Sequence, residues 1–266
     1  MTRSRPSAQR GQLISRLATL GAAVLLAGAC SAQAADITRR GPPAPVFVEP
    51  QPVGGFYFAT RTGISFIDDT SFDLGGGGLR VNTEYETGAR SSFALGYNFG
   101  PVFGPAMSAR VEIEGGYGDF SVDRHRINGL TVASIDSFGG LTALSGFASA
   151  FLDFNLGGGY GILSTMKPFI GAGIGAANVE LKKQGVSATG VVMDDEDSGV
   201  AYHLSAGVGV DLAALGLGSR LFSRSTFEVG YRFMHASNLE FTARDGTRSK
   251  TDFSADMVTV GFRRQF

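Results

Sequence analysis

From Gly55 to Phe266 the chain alternates apolar and polar residues with a period of two, and this alternation limits the fold more than any other feature. Successive side chains of a β-strand point to opposite faces, so such a run builds a sheet with two unlike sides. "ARVEIEGGYGDF" is the clearest case. Ala109, Val111, Ile113, Gly115 and Tyr117 fall on one face; Arg110, Glu112, Glu114 and Gly116 fall on the other. Eight such segments follow one another, at about 55–66, 87–99, 107–120, 139–155, 167–181, 199–212, 225–238 and 253–266.

Which face lies inside decides the class of protein. The polar face is rich in glycine, of which the chain has 39, and offers little bulk for a solvated surface. Turning the apolar face outward to lipid and the glycine-rich face inward to a lumen suits this pattern better. Backbone groups cannot stay unpaired in a bilayer, so the sheet must close. The pattern therefore predicts an all-β fold, an eight-stranded antiparallel up-and-down transmembrane β-barrel over 55–266. A secreted lipocalin-like barrel is the soluble alternative. Connections at one end are short, such as "GPVFGPA"; those at the other are long and polar, such as "DDTSFDLGGGGLRVNTEY" and "KKQGVSATGVVMDDEDSG". Short periplasmic turns and long external loops are the expected asymmetry, and the long set is expected to be mobile. No mature stretch has about 20 consecutive apolar residues, so no membrane helix is expected. The net charge of −1 gives no basic field for nucleic acid.

The N-terminus reads as a targeting segment. Arg3, Arg5, Arg10 and Arg16 precede the apolar stretch Leu17–Gly28, and "AQA" at Ala32–Ala34 fits signal cleavage. Residues 1–34 are expected to be a signal peptide and 35–54 a Pro-rich periplasmic linker. Cys30 is the sole cysteine and leaves with the signal; a lipid anchor on Cys30 is the alternative reading.

The chain ends in "MVTVGFRRQF", with Val258, Val260 and Phe262 alternating up to a terminal Phe266. This looks like the assembly signal of outer-membrane barrels. "RVEIEGGYG", "KPFIGAGIGAA", "AYHLSAGVGVDL" and "EVGYRF" together resemble the OmpA-like β-barrel family, closest to the opacity-type immunogenic outer-membrane proteins of alphaproteobacteria. The resemblance implies a small barrel in the outer membrane of a Gram-negative cell, with roles in envelope integrity and surface exposure and without catalysis. It implies outer-membrane lipid and lipopolysaccharide, the barrel-assembly machinery, and a host or phage ligand at the external loops as partners. It implies no cofactor.

Parity assigns Arg61, Arg90, Arg110, Glu112, Glu114, Asp153, His203, Asp211, Glu228, Arg232 and Arg263 to the lumen. Buried charges must be paired or hydrated, and eight strands leave room for little but side chains. An Arg/Glu network closing the lumen is expected; a narrow pore for ions or small solutes is the alternative. "GAGIGA" at 171–176 matches a dinucleotide fingerprint but lies within strand alternation, with no helix to follow. "MDDED" at 193–197 reads as a solvated loop without the ligand spacing of a calcium site, so no metal is assigned.

"HASN" at 235–238 resembles the His-x-Ser-Asn motif of lipid A 3-O-deacylases. That resemblance implies Ser237 as nucleophile, His235 as base and Asn238 as a possible oxyanion donor. If Phe233 paired with Val258, Asp256 would lie across from His235. The chain departs from that family downstream, where "LEFTARDGTRSK" lacks the Pro-Asn segment and Ser249 replaces the acid. The alternative is a strand end at the headgroup level. The N-terminal reading makes a direct prediction: Edman degradation of the mature protein should begin at Ala35, whereas a blocked chain at Cys30 would mean lipidation.

Overall fold

A computed structural model describes residues 54–102, 104–156, 165–213, 215, 222 and 224–266. The segments expected to be a signal peptide and a linker, up to residue 53, lie outside the described residues. Eleven strands run in chain order: β1 (Gly55–Ile67), β2 (Thr70–Leu74), β3 (Leu79–Tyr85), β4 (Gly88–Pro101), β5 (Met107–Ile127), β6 (Leu130–Thr131), β7 (Ser137–Phe154), β8 (Met166–Val186), β9 (Gly190–Asp211), β10 (Ser225–Thr242) and β11 (Arg248–Gln265).

Eight of them close a ring. β1 pairs with β4, β4 with β5, β5 with β7, and so on to β11, which pairs back with β1, all antiparallel. The register can be followed around the ring through Tyr57, Gly96, Glu112, Ser149, Gly173, His203, Met234 and Ala255. The walk returns to β1 at Ile67, ten residues above its start, so the shear is 10. With strands about 4.8 Å apart and about 3.3 Å per residue, that stagger sets a tilt of roughly 40°. The last amide closes the seam, Phe266 N donating to Phe56 O at 2.9 Å.

The outward face is apolar over a band and polar beyond it. Ile113 is 75% exposed, and Phe56, Ile174, Leu204 and Val258 are also exposed. Exposed apolar surface on this scale marks contact with lipid. From Phe266 to Asp256 the outward side of β11 rises ten residues, roughly 25 Å along the axis at the tilt above. Above this band the two faces exchange chemistry while their parity is kept. On β8 the outward Ile170, Ala172 and Ile174 give way to Asn178 and Glu180, and the inward Gly171, Gly173 and Gly175 give way to Ala177, Val179 and Leu181. On β11 outward Val258 and Val260 give way to Asp256 and Ser254, and inward Arg263 gives way to Met257, Ala255 and Phe253. Lipid outside calls for an apolar exterior; water outside calls for an apolar interior.

The barrel thus continues beyond the membrane as a collar with a water-facing exterior. Phe120, Leu141, Leu181, Met193, Phe241 and Phe253 are buried together within it. The segments expected to be mobile external loops are largely strands. "DDTSFDLGGGGLRVNTEY" forms the β2–β3 hairpin, and β3 pairs with the upper part of β5. The hairpin tip is tied to the β10–β11 turn: Gly76 N donates to Thr247 Oγ1 at 3.0 Å and Asp73 N to Ser249 Oγ at 2.8 Å. Only residues 187–189 separate β8 from β9. "MDDED" therefore lies on β9, not in a loop. Asp197 accepts from the Glu240 amide and Asp195 from the Thr242 amide, both at 2.6 Å, which satisfies a stretch of β10 that β9 no longer pairs.

The collar core makes a clear demand. Phe253→Ala should cost roughly 3–5 kcal/mol, whereas Leu130→Ala on the exposed β6 should change stability by less than about 0.5 kcal/mol. Urea unfolding in phospholipid vesicles measures both.

Candidate functional site: a filled lumen and an outer rim

Inside the membrane band the lumen is occupied by ion pairs. Glu112 accepts from Arg61 at 2.7 and 2.8 Å, from Tyr57 Oη at 2.9 Å, and from Arg110. Glu114 accepts from Arg61 at 3.0 Å and from Arg232, whose Nη2 lies at 2.9 Å. Glu228 accepts from Arg263 Nε at 2.8 Å and from Arg61 Nη2 at 3.3 Å. Asp153 accepts from Arg110 Nε at 3.1 Å. β5 and β10 face one another across the ring, so Arg232–Glu114 and Arg110–Glu228 span the lumen, while Arg110–Asp153 and Arg263–Glu228 join neighbouring strands.

Each of these charges is buried. Removing a charge from water costs several kcal/mol, and only a partner with good geometry offsets this. Carboxylates shared between arginines provide such partners here. A polar arm continues from Arg232: its Nε donates to Ser205 Oγ at 3.1 Å, Ser205 Oγ bonds His203 Nδ1 at 3.2 Å, and His203 Nε2 bonds Ser149 Oγ at 2.8 Å. Both ring nitrogens of His203 thus face serines, with no carboxylate to orient them for base catalysis. Arg90 reaches Ser145 Oγ, without a carboxylate in salt-bridge contact among the described residues. Asp211 stands apart from the network: it is half-buried at the periplasmic end and pairs with Lys167 at 3.7 Å. Parity gives the side a residue faces but not its height, and Asp211 is too near the end of β9 to reach the centre.

Aromatic rings complete the packing. The Arg110 guanidinium lies 4.1 Å from the centroid of Phe151, and Phe147 meets His203 edge-on at 4.9 Å. "GAGIGA" explains how they fit. A side chain at 171 would strike the Phe151 ring, and one at 173 would strike His203 and Ser149. Gly171 and Gly173 are the space into which the Phe151 and His203 rings extend, and β8 runs on past them as a strand.

At the outer rim the register differs from the one assumed for catalysis. Phe233 pairs with Asp256, Tyr231 with Val258, and His235 with Ser254. His235 Nδ1 shares a hydrogen bond with Ser254 Oγ at 2.9 Å, and its ring packs 5.3 Å from Tyr202. Asp256 accepts from the Tyr231 hydroxyl. The acid expected to orient His235 is therefore engaged one pair away. Ser237 and Asn238 form a β-bulge: pairing with β11 breaks between Ala236 and Leu239, and Asn238 has φ +60°. Asparagine tolerates that left-handed conformation better than most residues. The bulge moves the inward positions from Met234 and Ala236 to Leu239 and Phe241, keeping the collar core continuous. "HASN" has a structural reason that needs no chemistry.

The model of the outer membrane protein beta-barrel domain family matches residues 22–266. The chain belongs to this family. Similar solved structures include Neisserial surface protein A, at 16% identity and TM-score 0.44, covering 80% of this chain and 97% of that one. OprG from Pseudomonas aeruginosa is similar at 14% identity and TM-score 0.40, covering 81% and 99%. The attachment invasion locus protein Ail of Yersinia pestis is similar at 13% identity and TM-score 0.33, covering 79% and 99%. No curated protein matches the chain in sequence.

For an outer-membrane barrel, the residues that sequence reasoning passed over are telling. Tyr57, Phe147 and Phe151 share inward parity with Arg61, Ser149 and Asp153, yet aromatic character suggests lipid. The buried His125 of the collar shares a hydrogen bond with Thr83 Oγ1 at 3.0 Å, and burial holds its pKa below the ordinary range. Two substitutions probe the network. Glu112→Gln leaves Arg61 and Arg110 short of charge and should cost roughly 3–5 kcal/mol. Tyr57→Phe removes one bond to a carboxylate and should cost roughly 1–3 kcal/mol. Urea unfolding in vesicles reads both, and a loss below about 1 kcal/mol for Glu112→Gln would mean the network is solvated.

Proposed function

We propose that this outer-membrane barrel is a closed, non-catalytic envelope protein that presents a rigid β-collar outside the cell. The observation that carries the reading is the filled interior: shared Arg–carboxylate pairs within the membrane band, then an apolar core above them. A solute on this axis would have to break several buried ion pairs and then cross a packed apolar layer. Lipid and lipopolysaccharide are the surroundings of the outward band. The barrel-assembly machinery is the partner of the strand carrying Val258, Val260, Phe262 and Phe266. A host or phage ligand would meet the β2–β3 hairpin and the β10–β11 turn at the end of the barrel opposite Phe266. Export by the N-terminal signal and membership of the OmpA-like, opacity-type branch are parts of the same proposal.

Catalysis is disfavoured by the rim geometry, since His235 engages Ser254 and Asp256 engages Tyr231. Two measurements test the proposal. Planar bilayers containing the purified barrel should show no stable conductance steps, and steps that persist in Glu112→Gln and wild type alike would make it a pore. Mass spectrometry of lipid A should be the same in cells expressing wild type or Ser237→Ala. Loss of one acyl chain only with the intact serine would make it a deacylase.

A further inference from the structure

Among the described residues the buried charges of the lumen do not balance: five arginines, Arg61, Arg90, Arg110, Arg232 and Arg263, stand against four carboxylates, Glu112, Glu114, Glu228 and Asp153. Arg90 is the surplus cation. It is 5% exposed, and its Nη1 has no hydrogen-bond partner among the described residues. An arginine cannot shed its proton to escape burial. A second orphan lies on the same patch. Gly63 of β1 pairs with Arg90, and Ser65, the next inward residue of β1, also has a buried hydroxyl without a partner among the described residues.

Two glycines flank this patch. At Gly63 the β11 backbone comes close, where a Cβ would strike Val258 O, and a Cβ at Gly116 would lie 2.5 Å from Arg90 Nη2 and 3.0 Å from its Cζ. The guanidinium therefore lies across Gly116 to reach Ser145, with Nη1 pointing away from that bond. Above the patch begins the apolar collar core, with Phe120 and Leu141. Water there would satisfy the donors but leave a net positive charge buried under an apolar cap, at a cost of several kcal/mol.

We propose that the lumen holds one small monovalent inorganic anion, of the halide class, on Arg90 Nη1 and the Ser65 hydroxyl. The anion supplies the missing negative charge and accepts from both orphan donors. Its role is that of a structural counter-ion at the junction of the two lumen layers.

The test is to refold the full mature chain from urea into vesicles in chloride, or in gluconate, a larger anion, at equal ionic strength. The wild-type folding constant should rise close to tenfold for each tenfold rise in chloride above its dissociation constant. Arg90→Gln should remove that dependence while folding in both salts. Equal wild-type stability in chloride and gluconate, or an unchanged dependence in Arg90→Gln, would overturn the proposal. Should Arg90→Gln fail to fold, crystals of wild type grown in bromide decide the matter. An anomalous peak beside Arg90 and Ser65 supports the site; its absence there, with ordered water in its place, rejects it.

Discussion

Every backbone N–H and C=O that crosses lipid must find a partner within the protein, and in this chain the partner is always the neighbouring strand of a closed ring. Closure fixes more than hydrogen bonds. With eight strands and the shear of 10 traced from Tyr57 to Ile67, the tilt and the radius follow. The radius in turn allows only enough interior for side chains. Gly171 and Gly173 of β8 and the bulk of Phe151 and His203 are then two sides of one packing condition.

A single lumen of fixed width is filled by two kinds of chemistry. Within the membrane band inward residues can be charged, because outward residues already satisfy the lipid. Above it the outward residues face water, and the interior becomes an ordinary apolar core. Residues such as Met234 and Ala236 sit only one or two inward steps from Arg232, so the exchange is abrupt. The collar rests on the membrane barrel as a continuation of the same strands, tied across its top by the contacts between the β2–β3 hairpin and the β10–β11 turn. That construction suits a rigid exposed surface better than a set of loose loops.

Much of this was legible in the chain. Period-two alternation gave the eight ring strands, their order and the inward side of Arg61, Glu112, Glu114 and Glu228. Strand ends beyond the membrane were not legible, because a strand with polar residues outward and small apolar residues inward resembles a polar loop. "KKQGVSATGVVMDDEDSG" was misread for that reason. The pairing of β10 with β11 was missed by one pair, and alternation cannot detect such an error: a shift of two residues leaves every side chain on the same face.

By itself the sequence determined which face each residue of the membrane band takes, since side-chain direction along a strand is a local property with period two. It also determined that the sheet must close, since a chain this apolar on one face has no other way to satisfy its backbone in lipid. Only the tertiary structure decided who meets whom across the lumen: that Arg61 bridges Glu112, Glu114 and Glu228, that no carboxylate among the described residues is in salt-bridge contact with Arg90, and that His235 faces Ser254 instead of Asp256. Those contacts depend on height, and height is set by the shear summed around all eight strands, a quantity that no single strand contains.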